Sequence, residues 1–216
     1  NGRIRIGAMP TSSPVLPRIQ QLFCETYPSV EFEIQFLGSD KLINELRNFE
    51  LDVGLTYLEG SIIKKLNKIV LYEEQLNLMI PTDMLPANIT TITWKEASTL
   101  PLCLLSTNMK ERQVVDEAFA LVKSKPLPKI ECNSLFQLAF HVMQGSIATI
   151  VPNGFGRTNN AFPGTREIEL IDPIVSKPVG LIWEKVTPPL PMAQAIADLL
   201  SQATNKNELI NGPVTK

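Results

Sequence analysis

The chain has 216 residues, 44% of them hydrophobic, with 20 Lys and Arg against 22 Asp and Glu. That is enough for one large domain or two small ones. The net charge of −2 and the pI near 5.6 argue against a domain that grips DNA or RNA by itself. No apolar run reaches the roughly 18 residues a membrane-spanning helix needs, and no signal-peptide pattern opens the chain. A strand directly after Asn1-Gly2 is what a piece of a longer protein would show.

Residues 3–8 read as a strand and residues 14–26 as a helix, with Val15, Leu16, Ile19, Leu22, Phe23 and Thr26 on one face. Ser13-Pro14 is expected to supply its N-cap and first-turn proline, and Pro17 must also lie near the start. Residues 30–37 alternate apolar and polar, the pattern of a half-exposed strand at a sheet edge. Gly38-Ser39 leads into a helix over 40–49, where Leu42, Ile43, Leu46 and Phe49 recur at helical spacing. Residues 51–55 then read as a short buried strand. The turn between that helix and strand is so short that the helix must pack directly onto a parallel sheet.

Further on, residues 69–72 and 76–80 read as two strands, with Glu73-Glu74-Gln75 between them. Residues 81–99 read as loop. A second α/β series follows: strand 102–105, helix 111–122, strand 129–132, helix 134–144 closed by Gly145, and strand 147–151. Strands 167–171 and 179–183 and a helix over 192–203 complete the pattern. The expected fold is α/β, with two lobes joined by two crossovers near 72–76 and 174–179. The first lobe takes residues 1–72 with a return at 178–204, the second takes 76–173, and 205–216 form a flexible tail.

Cys24, Cys103 and Cys132 form no CxxC pair. Their odd number argues against a disulfide framework or zinc site and for reduced thiols packed as small hydrophobes; a redox pair is the alternative. No cofactor or metal is expected.

Three stretches of this order resemble the effector-binding domain of LysR-type transcriptional regulators. They are Arg5-Ile6-Gly7-Ala8 leading to Leu16-Pro17-Arg18-Ile19, Phe23 through Tyr27-Pro28-Ser29-Val30, and Leu46 through Asp52-Val53-Gly54-Leu55. Gly145-Ser146-Ile147-Ala148-Thr149-Ile150-Val151-Pro152 adds a glycine-strand-proline pattern in the second lobe, with Ser146-Ile147 where the family has a second glycine. The likeness covers essentially the whole chain. It implies a fold like the type 2 periplasmic binding proteins, a small-molecule effector in the inter-lobe cleft, and a homodimer or homotetramer. It also implies DNA binding through an N-terminal winged helix-turn-helix that is missing here.

The residues themselves point to an anion site. Helix N-termini offer free N–H groups and the positive end of the dipole. Thr11, Ser12 and Ser13 precede the first helix, Gly38 and Ser39 the second, and Asn133 and Ser134 the second-lobe helix. Each loop follows a strand end, where open α/β sheets bind ligands. The resemblance adds Pro152 and Asn153. The bland alternative is that these are N-caps only.

His141 stands alone mid-helix without catalytic or metal partners. Asp40 and Asp52 form no acid/base pair, and Lys64, Lys65 and Lys68 read as a solvated face. Trp94 and Trp183 read as packing residues. Arg157 is either a partner for a carboxylate or a solvated loop charge. The leading reading is a cytoplasmic, non-enzymatic sensor domain of a DNA-binding regulator. A periplasmic solute-binding protein for a small anion is the alternative; an enzyme on this fold lacks a nucleophile-base or paired-carboxylate arrangement.

Overall fold

The computed structural model describes residues 2–156 and 161–205. The chain divides into two compact units, one built from residues 1–73 and 177–216, the other from 74–176.

The first unit begins with β1 (Gly2–Ala8), followed by α1 (Leu16–Thr26), β2 (Val30–Phe36), α2 (Ser39–Arg47) and β3 (Val53–Tyr57). β1 pairs in parallel with both β2 and β3, and β2 lies at the sheet edge. Gly7 and Gly54 face each other across β1 and β3. A Cβ on Gly7 would lie 2.5 Å from Leu51 Cδ1, and one on Gly54 2.6 Å from Leu42 Cδ2. Two bare backbone positions thus let α2 rest directly on the strands, and Leu42, Ile43, Leu46 and Leu51 form one core with Ile182.

Two local expectations fail here for physical reasons. Ser13 does not cap α1: residues Pro10–Ser12 make a 3-10 turn, and the Ser13 hydroxyl donates back to the Pro10 carbonyl at 2.6 Å. Val15 stands at the N-cap with no side-chain bond, and Pro17 falls in the first turn. Phe49 is not part of α2. Its φ is +56°, and the Phe49 amide donates to Leu46 O at 3.1 Å while that of Glu50 donates to Glu45 O at 2.9 Å. That is a Schellman ending with a phenylalanine where glycine is usual.

β4 (Asn67–Pro81) is one unbroken strand, not the two strands separated by Glu73-Glu74-Gln75 that the sequence suggests. The charged residues do not interrupt it because the backbone is paired along both halves. Its sheet neighbours are β8 (Thr149–Pro152), β9 (Thr165–Ile171) and β10 (Ser176–Trp183). β8 and β9 pair antiparallel with its second half. The chain therefore passes from the first unit to the second along β4 and returns along β10, which lies antiparallel to β3. The last helix, α6 (Pro191–Asn205), packs against α1 and buries Ile196 and Leu200.

In the second unit the segment expected to be loop holds β5 (Thr91–Thr93) and a short helix, α3 (Trp94–Ala97). Its signal is a capping box: the Thr93 hydroxyl accepts from the Glu96 amide at 3.2 Å, and the Glu96 carboxylate accepts from the Thr93 amide at 2.9 Å. Trp94 is fully buried against Phe119, its indole donating to Pro173 O at 2.9 Å. β6 (Cys103–Leu105), α4 (Lys110–Leu121), β7 (Ile130–Cys132) and α5 (Leu135–Met143) follow. The buried face of α5 closes a core with Met79, Cys103, Val151 and Phe155. The tail beyond residue 205 and Arg157 lie outside the described residues.

Candidate functional site

In the first unit the carboxyl ends of the parallel strands β1, β2 and β3 are the ends at which open α/β sheets bind ligands in general. They are tied together: the Met9 amide donates to Leu55 O and the Leu37 amide to Ala8 O, both at 3.0 Å. Leaving β1, the chain enters the 3-10 turn, where the Ser12 hydroxyl donates to Met9 O at 2.6 Å. Ser12 and Ser13 are thus both engaged as donors inside the turn. Thr11 differs. It is 4% exposed, and its Oγ1 has no hydrogen-bond partner among the described residues. Leaving a buried hydroxyl unpaired costs about 1–3 kcal/mol, so its presence calls for a reason.

α2 starts at the same end. Its N-cap is Gly38, which has no side chain to offer, and the first helical bond runs from the Leu42 amide to Gly38 O at 2.9 Å. The amides of residues 39 to 41 therefore have no partner within the helix. The Ser39 hydroxyl lies 3.4 Å from that of Thr56, which is buried on β3. The result is a group of neutral donors around an uncapped helix start, suited to a small anion.

In the second unit Ser134 is an N-cap, its Oγ accepting from the Gln137 amide at 3.2 Å, and Asn133 is exposed just before it. Pro152 is buried at the end of β8. Asn153 follows, exposed, with its amide donating to Gln75 O at 2.8 Å and its side-chain oxygen accepting from Asn77 Nδ2 at 3.3 Å. A hollow of about 480 Å³ within this unit is lined by Asn77, Asn153, Gly156, Thr165, Glu167 and neighbouring residues.

Of the nine residues singled out from sequence, five thus fall in the first unit and four in the second. Sequence reasoning passed over Thr56, Asn77 and Glu167. Thr56 and Asn77 left a signal, a polar residue inside a run of buried strand, whereas Glu167, half-buried in an alternating strand, left none until its partners are known.

Several other titratable groups of the chain have structural surroundings. Asp52 accepts from the Arg5 amide at 2.7 Å and from its guanidinium at 2.8 and 3.2 Å, locking β1 to β3. The His141 ring nitrogen lies 3.3 Å from the Gln137 side-chain nitrogen, one turn back on the same helix. Among the described residues no group of three or more His, Cys, Asp or Glu could hold a metal.

Burial pushes the Cys103 thiol up to about 11. Cys103 pairs in register with Ile130 and Leu105 with Cys132. Two residues out of register across one strand gap places the Cys103 and Cys132 Cα atoms about 8 Å apart, beyond the roughly 7 Å a disulfide spans. Packing as small hydrophobes accounts for both.

The chain matches the LysR substrate binding domain family over residues 1–205. It belongs to that family. Among curated proteins it is 25% identical over 133 residues to a probable nitrogen assimilation transcriptional activator of Synechocystis. The match covers 61% of this chain and 43% of that protein, so the chain spans under half of that relative's length. It is 25% identical over 210 residues to the transcriptional dual regulator GltC of Bacillus subtilis, covering 96% of this chain and 69% of GltC.

Two solved structures share its fold. One is the effector binding domain of QuiR in complex with shikimate, with a TM-score of 0.82 at 17% identity, covering 95% of this chain and 98% of that one. The other is full-length CbnR complexed with its target DNA, with a TM-score of 0.78 at 15% identity, covering 94% and 70%. The LysR substrate-binding domain is a ligand-sensing regulatory domain, and the two-unit α/β architecture expected from the resemblance is the one found.

Proposed function

We propose that this domain senses the effector of a LysR-type DNA-binding transcription factor, and that the effector is a small carboxylate or similar anion. It works in the cytoplasm and catalyses no reaction. DNA is contacted by a winged helix-turn-helix in the N-terminal part of the full-length protein. Family membership supports this reading, as do relatives named as transcriptional regulators and a fold neighbour that holds shikimate.

The observation that carries the ligand assignment is the buried, unpartnered hydroxyl of Thr11 at the strand ends where α2 begins without a side-chain cap. A bound anion would accept from Thr11, from Ser39 and from the free amides that follow Gly38, with Thr56 orienting Ser39. Ser12 and Ser13 shape the turn. Within the second unit, taken by itself, the candidate contacts are Asn133, Ser134, Pro152 and Asn153. Neutral donors plus a helix dipole favour a small anion without a fixed counter-charge. Binding acts by shifting the population of conformations toward the one it fits.

The domain self-associates as a homodimer or homotetramer. Ile34 and Phe36 stand exposed on the edge strand β2, and Phe136 and Phe140 on α5, apolar surface suited to a second copy.

The test is a thermal-shift screen of shikimate, glutamate, 2-oxoglutarate, citrate and sulfate, followed by calorimetry of any binder on Thr11→Val and Ser39→Ala. One hydrogen bond to a charged group is worth about 1.5–3 kcal/mol, so each variant should weaken binding about tenfold or more. A ligand whose affinity changes less than about threefold in both variants binds elsewhere.

A further inference from the structure

We infer that Glu167 is a positioning residue: its carboxylate fills an anion seat in the second unit and fixes the loop that presents Asn153. The seat has three donors. The Gly154 amide donates to Glu167 Oε2 at 2.8 Å and the Gly156 amide to Oε1 at 2.5 Å. Asn77 Nδ2, on the neighbouring strand, donates to Oε2 at 2.8 Å and also reaches Asn153 Oδ1 at 3.3 Å. Two turn amides with one residue between them, converging on one carboxylate, form the kind of backbone concavity that binds anions generally. Here the anion is the protein's own.

The local sequence fits that task and little else. Gly154 has a φ of +87°, a conformation side chains rarely adopt, and this twist sets the course of the chain on to Gly156, so that both amides meet Glu167. A Cβ on Gly156 would come within 3.2 Å of Glu167 Oε1, so the second glycine keeps the approach open. Between them Phe155 points the other way, 4% exposed and stacked on Phe162 with ring centres 5.1 Å apart. The loop is therefore gripped on one side by an aromatic anchor and on the other by a charge-assisted hydrogen-bond set. Asn153, immediately before it, has its side chain tied into the same set through Asn77. Because Glu167 already takes both glycine amides, the loop offers an incoming ligand the Asn153 side chain rather than backbone anion donors.

This role rests on the effector reading only for the use to which the loop is put; the seat itself is tested without any effector. Hydrogen exchange at the Gly154 and Gly156 amides is measured by NMR on the whole domain, with formate as the probe and chloride at equal ionic strength as the control. Glu167→Ala opens the seat, and both amides should exchange about tenfold faster or more. Formate at tens of millimolar should slow them again, because it supplies the missing carboxylate, while leaving the wild type unchanged. Glu167→Gln keeps the shape of the side chain but turns an amide NH2 toward a donor. It should exchange faster than wild type and resist rescue, because its seat is still occupied. Unchanged protection in both variants, or equal effects of formate and chloride on Glu167→Ala, overturns the inference. If formate rescues the loop while Asn153→Ala leaves the affinity of the thermal-shift binder unchanged, the seat stands and the assignment of Asn153 to the effector site falls.

Discussion

Replacing Thr11 by valine should move stability and binding in opposite directions. Valine keeps the shape of threonine and removes only the hydroxyl. That hydroxyl is buried, with no hydrogen-bond partner among the described residues. Its desolvation is therefore uncompensated in the free domain, and its removal should stabilise the fold by about 1–2 kcal/mol. For a chain of this size each kcal/mol raises Tm by about 2–4 °C. With an anionic ligand the sign reverses, because the lost bond is to a charged group worth about 1.5–3 kcal/mol, a tenfold weakening or more. At a ligand concentration of about 100 times the wild-type Kd, the wild type gains about 2.7 kcal/mol from binding, and a variant with tenfold weaker affinity gains about 1.4. The ligand-induced rise in Tm should therefore be roughly halved while the ligand-free Tm is higher. Urea unfolding with and without the screened acid, paired with calorimetry, reads both quantities. A ligand-free Thr11→Val domain less stable than wild type would refute the reasoning, since the hydroxyl would then be making a bond in the free protein.

Other outcomes follow from the same geometry. Burial holds the Cys103 thiol at about 11 in the folded chain, against 9.0 when exposed. With the folded value above the unfolded one, this contribution to stability is complete below about pH 9 and is lost as pH rises toward about 11. Cys103→Ala should flatten the fall in unfolding free energy over that window, and an unchanged slope would count against the assignment. Gly180→Ala should prevent assembly of the first unit's sheet, because its Cβ would collide with the Ile69 carbonyl oxygen; a cost of about 3 kcal/mol or more is expected, and a soluble variant with wild-type Tm would contradict it. Phe140→Asp should leave the fold intact, since the ring is 52% exposed, but dissociate the proposed assembly. Analytical ultracentrifugation showing a 24.0 kDa species for the wild type at tens of micromolar would remove the basis for that assembly.

Much of the fold could be read from hydrophobic periodicity, because that signal is local. The α1 and α2 faces, the edge position of β2, the buried strand β3 and the apolar face of α5 each repeat within a dozen residues. The place where α2 starts was visible too, since Gly38-Ser39 marks it directly. The LysR resemblance added order and spacing to pieces that are weak alone. What tertiary structure decided was where local signals compete or partners are distant. Glu73-Glu74-Gln75 look like a break, yet β4 runs through them because β8, β9 and β10 take up its backbone hydrogen bonds. Ser13 looks like a cap, yet in the 3-10 turn its hydroxyl donates to the Pro10 carbonyl instead. Glu167 looks like an exposed strand residue until Asn77, 90 residues away, and the Gly154 and Gly156 amides are brought around it. Periodicity records which side of an element faces the core. It carries no record of which distant donor will meet which acceptor, and in this chain that pairing decides how Thr11 is left free and Glu167 is held.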